Sequence, residues 1–208
     1  MGPSPCDACI AGLRPPSADG CPPGLESCLS LFDYEDRGRD LVVALKYRNR
    51  RDVAPALAAG MAQLVDPARV DVVTWAPTSA LRRAARGYDQ SRLLAAGVAR
   101  ALGRPCRGLL RRVAGVHQTG LASTERQRGP TFTVRGRPPP RVLVVDDVVT
   151  TGATLSAAGR VLRATGAVDV HGLTAARTPL KLGRADDEKV SDRCLLPVTP
   201  HEVTHPCR

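Results

Sequence analysis

Hydrophobic positions follow a helical spacing from Arg39 to Leu64 and a strand spacing in the middle of the chain. Leu41, Val42 and Leu45 share one face of a helix that begins near Arg39 and ends at Lys46-Tyr47. A second amphipathic helix is predicted from Val53 to Leu64, where Asp66-Pro67 breaks the pattern. Val70 to Trp75 is a short β-branched run stopped by Ala76-Pro77, as a buried strand would be. A polar, basic loop is expected from Thr78 to Tyr88, then a helix from Asp89 to Leu102 closed by Gly103. Leu109 to Val113 reads as a further strand.

Residues 114–130 carry Gly, Arg and Gln with no period, and so long a structureless stretch within a compact domain is often a functional lid. Val142 to Val145 is the clearest strand, a continuous apolar run suited to the centre of a parallel sheet. Helical signals resume from Thr154 to Ala164, end at Gly166, and give way to a strand over Val168 to Thr174. Strand and helix alternate, so the fold class is α/β, a mainly parallel sheet flanked by helices.

Four regions follow from this pattern. Residues 1–30 are rich in Cys, Pro and Gly and have almost no apolar period, so they form a small module that needs a staple. Residues 31–67 are a helical hood or connector, 68–177 the α/β core, and 178–208 a polar, aperiodic tail read as flexible.

The 208 residues suffice for one domain with a sizeable core. No apolar run approaches a membrane span, and Met1 to Cys6 lacks the charged and apolar regions of a secretory signal, so a cytoplasmic location is expected. The formal charge of +10, mostly arginine, points to nucleic acid or phosphorylated metabolites as partners, or to no more than a basic solvated surface. The few aromatic residues do not interleave with the basic ones, as a stacking platform for single strands requires.

Seven cysteines is an odd number for a disulfide framework, and four of them fall within the first 28 residues. Cys6 and Cys9 have the spacing of half a zinc knuckle, and Cys21 with Cys28 would complete a four-thiolate Zn2+ site. Cys106 is expected to be inert. Cys194, His201, His205 and Cys207 have metal-friendly chemistry in a tail with no other sign of order.

The most informative segment is Val142 to Thr154. An apolar strand ending in two carboxylates turns through a Thr/Gly loop into a helix, and open α/β sheets bind ligands at that end of a strand. The loop's backbone N–H groups and the helix N-terminus form an anion nest, to which Thr150, Thr151 and Thr154 add hydroxyls. Gly152 would let the backbone approach a phosphate closely. Asp146 and Asp147 can accept hydrogen bonds from vicinal ribose hydroxyls and help hold Mg2+ carried by a substrate. An Asp-capped βα turn is the plain alternative, and the order of elements over thirteen residues argues against it.

This segment resembles the signature of type I phosphoribosyltransferases, which bind 5-phosphoribosyl-1-pyrophosphate (PRPP). The resemblance implies the type I phosphoribosyltransferase fold, Asp146 and Asp147 on the ribose, and Val149, Thr150, Thr151, Gly152, Ala153 and Thr154 around the 5′-phosphate. Purine-salvage members carry a catalytic aspartate where this chain has Thr150. More narrowly, three features are similar to the ComF/GntX group. These are Pro77-Thr78-Ser79 with Arg86-Gly87-Tyr88-Asp89-Gln90, then Arg111-Arg112 with Gln118 to Leu121, Arg126 and Phe132, and the four cysteines before Lys46-Tyr47.

What this resemblance implies is a zinc-ribbon-like N-terminal module, although Cys21 and Cys28 are further apart than the family's usual pair. It also implies that the loop after the strand at 70–75, with Thr78 and Ser79, supplies N–H groups and arginine to the pyrophosphate. Arg82, Arg83 and Arg86 offer phosphate contacts, with a solvated basic turn as the alternative for Arg82 and Arg83, and Arg126 stands in the lid beside the site. Two readings follow. One is a phosphoribosyltransferase-like protein binding PRPP or a related ribose 5-phosphate with Mg2+, its acceptor unidentified. The other is a non-catalytic competence or DNA-uptake accessory that meets single-stranded DNA or a helicase partner.

Overall fold

The computed structural model describes residues 12–16, 20–47, 50–113 and 129–179. Its centre is a four-stranded parallel sheet built from β1 (Ser27–Asp33), β2 (Val72–Trp75), β5 (Arg141–Val149) and β6 (Asp169–Arg177), in the order β1-β6-β5-β2. A short antiparallel pair, β3 (Leu110–Arg112) and β4 (Phe132–Val134), lies outside that sheet. The helices are α1 (Asp36–Tyr47), α2 (Ala54–Gln63), α3 (Ala80–Arg86), α4 (Gln90–Leu102) and α5 (Ala153–Ala164).

Alternation along β5 explains why it reads as an unbroken apolar run. Leu143 and Val145 face a cluster with Leu45, Leu57, Met61, Leu94 and Val98 from α1, α2 and α4. Val142 and Val144 face the other way, onto Leu155 and Leu162 of α5 and Leu110 and Phe132 of the small antiparallel pair. Both faces are covered, so no polar alternation survives. On the first face α2 and α4 approach so closely that a Cβ on Gly97 would stand 2.5 Å from the Cβ of Ala58.

The parallel sheet with flanking helices agrees with the α/β class expected from the sequence, and four details differ. The sheet starts well before residue 68: Ser27–Asp33, placed in the Cys-rich region and the connector, is an edge strand paired with β6, register Cys28↔Gly172. Helices α1 and α2 are core elements on one face of the sheet, with Val42, Leu45, Leu57 and Met61 buried. The basic stretch after β2 is the helix α3, none of whose residues is buried. It is held by its ends: the Ser79 hydroxyl accepts from the N–H of Arg82, and Gly87 closes it at φ 75°. Finally, β5 runs on through both aspartates, with Asp146 opposite Thr174 and Val149 opposite Arg177.

The N-terminal segment is tied to the sheet by two arginines. Arg177, buried at the end of β6, donates to the carbonyls of Gly20 and Cys28. Arg163 on α5 donates from Nε to the Gly24 carbonyl at 3.1 Å and pairs with Glu26. Among the described residues, no helix is long and apolar enough to cross a membrane.

Candidate functional site

The carboxyl ends of β2 and β5 open into a cleft of about 280 Å³. Its walls include Asp146, Asp147, Thr150 and Thr154 on one side and Thr78, Arg82, Arg86 and Arg112 on the other, with Lys46 and Ser91. A smaller hollow adjoins it, lined by Asp146 and by residues 148–155, Val149 to Thr154 among them. That hollow is the turn from β5 into the N-terminus of α5, where main-chain N–H groups converge and the helix dipole favours an anion.

The two carboxylates are supported differently. Asp147 is paired with Lys46 at the end of α1, Nζ to Oδ1 3.0 Å, and both side chains are largely buried. Asp146 accepts from the Ser91 hydroxyl at 2.7 Å and from the Asp147 N–H at 2.9 Å. Burial first, and the charge of Asp147 second, push the Asp146 carboxyl up to about 7, against the pull of Ser91, the Asp147 N–H and Lys46. This carboxyl therefore gives up its proton at a higher pH than an ordinary aspartate.

The opposite wall is organised around Asp89, the N-cap of α4. Its carboxylate accepts from the N–H groups of Thr78 and Arg92, which fixes the chain leaving β2. Burial raises its pKa against those bonds. Arg86 donates to Gln90 Oε1 at 3.1 Å and lies over the ring of Tyr47, 4.9 Å from its centroid. Arg112 is disfavoured as a cation by burial and then by its neighbour Arg82, and favoured by Asp146.

The structure gathers Asp146, Asp147, Thr150, Thr154, Thr78 and Arg86 around one cleft, with Val149, Thr151, Gly152 and Ala153 in the adjoining turn. Two expected contacts change. Ser79 is occupied as the N-cap of α3, and the space a Cβ on Gly152 would fill already holds Pro22, whose Cγ would stand at 2.7 Å. The left-handed φ of 73° still requires glycine there. Arg126, and all but the last two residues of the stretch 114–130 read as a lid, lie outside the described residues. Lys46, Ser91, Arg112 and Tyr34, which no motif singled out as site residues, also line the cleft. Lys46-Tyr47 and Arg111-Arg112 carried a signal in the sequence; Ser91 and Tyr34 carried none.

Cys6 and Cys9 lie outside the described residues. Cys28 is half-buried on β1, and burial pushes its thiol up to about 12. The Cys21 thiol donates to the carbonyls of Pro22 and Leu25. Among the described residues, no three His, Cys, Asp or Glu side chains group as a metal site.

No family model matches the chain. It is 31% identical over 164 residues to the DNA utilization protein YhgH of Salmonella typhi and to that of Salmonella typhimurium, covering 72% of this chain and 71% of theirs. Two solved structures are similar in part. The allosteric regulatory enzyme of purine biosynthesis matches at 24% identity and TM-score 0.43, over 64% of this chain and 30% of that one. The purine phosphoribosyltransferase of Pyrococcus horikoshii Ot3 matches at 14% identity and TM-score 0.39, over 66% and 94%. With 31% identity over more than two thirds of both chains, the protein belongs to the family of the DNA utilization protein YhgH.

Proposed function

We propose that this protein binds PRPP, or a related ribose 5-phosphate, with Mg2+ in the cleft between β2 and β5, and transfers the phosphoribosyl group to an acceptor on a type I phosphoribosyltransferase-like fold. The observation that carries the reading is the placement of an acidic pair and a Thr/Gly turn on one wall, facing three arginines and Thr78 on the other. Asp146 and Asp147 accept from the ribose 2′- and 3′-hydroxyls. The turn from Val149 to Thr154 takes the 5′-phosphate, and Thr78, Arg82 and Arg86 face the pyrophosphate.

The carboxylate oxygens of Asp146 and Asp147 suit a hard dication, and Lys46 already offsets part of their charge. When bound, the magnesium neutralises the leaving pyrophosphate. In the transfer an acceptor lone pair forms a bond to the anomeric carbon. The bond from that carbon to the pyrophosphate oxygen breaks, pyrophosphate leaves with the electron pair, and the acceptor's proton passes to water. Thr150 is no base at neutral pH, so an amine is a fitting acceptor and a purine nitrogen that needs deprotonation is not.

Calorimetry with PRPP, with and without Mg2+, tests the reading, followed by a pyrophosphate-release screen over nucleobases and amines. Saturable, magnesium-dependent binding supports it, and absence of binding overturns it. Robust transfer to hypoxanthine or guanine would contradict the Thr150 argument, which Thr150→Asp probes from the other side.

A second part of the proposal is a structural zinc on Cys6, Cys9, Cys21 and Cys28. The proximity of Cys21 to Cys28 supports it, and the protonated, buried Cys28 thiol opposes it, since the metal must displace that proton. Metal analysis should find about one zinc per chain on a four-cysteine site. Finding none, with the thiols freely titratable, removes this part.

The name of the relatives favours one other reading, a DNA-uptake accessory meeting single-stranded DNA or a helicase partner, to which the +10 charge also lends support. A DNA affinity that falls steeply with salt, with no PRPP binding, would select it.

A further inference from the structure

On the far side of Pro77-Thr78 from the acidic pair lies a second and larger hollow, of about 1040 Å³. Six arginines line it, from five places in the chain: Arg51 before α2, Arg83 on α3, Arg92 on α4, Arg111 and Arg112 on β3, and Arg135 just after β4. Asp89 is the one carboxylate on its wall, and its oxygens already accept from main-chain N–H groups. Among the described residues, Arg83, Arg92, Arg111 and Arg135 pair with no carboxylate. Cations gathered in a concave wall focus a positive field that an anion of matching charge relieves.

Two aromatic rings line the same hollow, and each carries a guanidinium on one face. Arg51 lies 4.4 Å from the centroid of Tyr88, and Arg92 lies 5.7 Å from that of Trp75. The rings thus hold arginines in place by cation–π contact, rather than standing open as platforms for successive bases. Among the described residues these six arginines line one hollow, close in size to those that enclose whole small ligands, about 300–1,000 Å³.

We propose that this hollow binds a compact polyphosphate ligand, a di- or triphosphate group carried by a nucleotide or free in solution, separately from the ribose-phosphate cleft. The two sites share the wall formed by Pro77, Thr78 and Arg112. The proposal does not depend on PRPP being the ligand of the smaller cleft.

Trp75 is the single tryptophan of the chain and lines only the larger hollow of the two, so its fluorescence reports occupancy there. Tripolyphosphate should change that fluorescence saturably. Arg111→Ala with Arg135→Ala, both at exposed positions, should weaken binding by calorimetry about tenfold or more, as loss of charge-assisted hydrogen bonds does. The same variant should hold PRPP and Mg2+ within about twofold of the parent, and Asp146→Asn with Asp147→Asn should leave tripolyphosphate binding unchanged.

Comparing ATP with tripolyphosphate tells whether a nucleoside adds affinity. No saturable tripolyphosphate binding, or binding indifferent to the arginine variant, overturns the proposal. Binding abolished by the aspartate variant also overturns it, because it places both ligands in one site. So does a single-stranded oligonucleotide that displaces tripolyphosphate and binds more tightly per phosphate.

Discussion

The two hollows on either side of Thr78 are built from opposite electrostatic plans. In the smaller one, Asp146 and Asp147 face Lys46, Arg82, Arg86 and Arg112, so charges of both signs are held close and partly buried. In the larger, six arginines meet one carboxylate that is already engaged. A balanced site reads shape and hydroxyl placement, because each new bond replaces one inside the protein. A site of one sign reads charge, and salt screens it more strongly. Arg82 and Arg83, adjacent in sequence, line the smaller and the larger hollow respectively, which shows how α3 divides the two plans.

The widest separation is expected from Asp146→Asn with Asp147→Asn. PRPP affinity should fall about 100-fold or more in calorimetry, as two hydrogen bonds to charged acceptors are lost at about 1.5–3 kcal/mol each. Equal affinity in parent and variant would remove the acidic pair from the ribose. Next comes Arg82→Ala, for which about a tenfold loss of PRPP affinity is expected with the fold intact, since the side chain is exposed and contributes a charge-assisted contact. An unchanged dissociation constant would exclude Arg82 from the pyrophosphate.

Lys46→Met should act through pH. Lys46 draws the Asp146 carboxyl downward, so its removal moves the midpoint of PRPP binding above about 7. Measured across pH 6 to 9, an unshifted midpoint would show that this ion pair does not tune the site.

The smallest effect is on stability. The folded Asp146 carboxyl lies near 7, above the value of about 3.9 in an unfolded chain. The fold therefore binds the proton more tightly than the unfolded chain, and this contribution is present below pH 4 and lost as pH rises through about 7. Asp146→Asn keeps a neutral side chain at every pH. It should be more stable than the parent at pH 8, by about 1 kcal/mol or more given roughly 1.4 kcal/mol per pKa unit, with the gain fading towards pH 4. Parent and variant with equal melting temperatures at pH 8 would contradict the burial argument.

What could be read from the chain depended on where the information resides. Val142 to Val145 was legible because both sheet faces are covered and the pattern is local. The Thr/Gly turn from Thr150 to Gly152 was legible because its chemistry lies in consecutive residues, whereas the continuation of β5 through Asp146 and Asp147 to Val149 was not. Helix α3 was hidden because it buries no side chain and therefore has no apolar period; a cap at Ser79 and a glycine at its end hold it instead. Strand β1 was hidden among Pro, Gly and Cys, since Ser27 and Ser30 are polar yet buried against β6, where they pair with His171 and Thr174. The partners of the two aspartates, Ser91 and Lys46, come from distant helices, and no local pattern encodes such tertiary pairs.

The contact between Pro22 and Gly152 gives the cysteine-bearing segment a mechanical part in the site. Pro22 is packed against the very residue whose left-handed backbone shapes the turn from β5 into α5, while Gly20, Gly24 and Glu26 are lashed down by Arg177 and Arg163. A bulky thiol reagent on Cys21 would press on Pro22 beside it, and through Pro22 on Gly152 and the turn that it shapes.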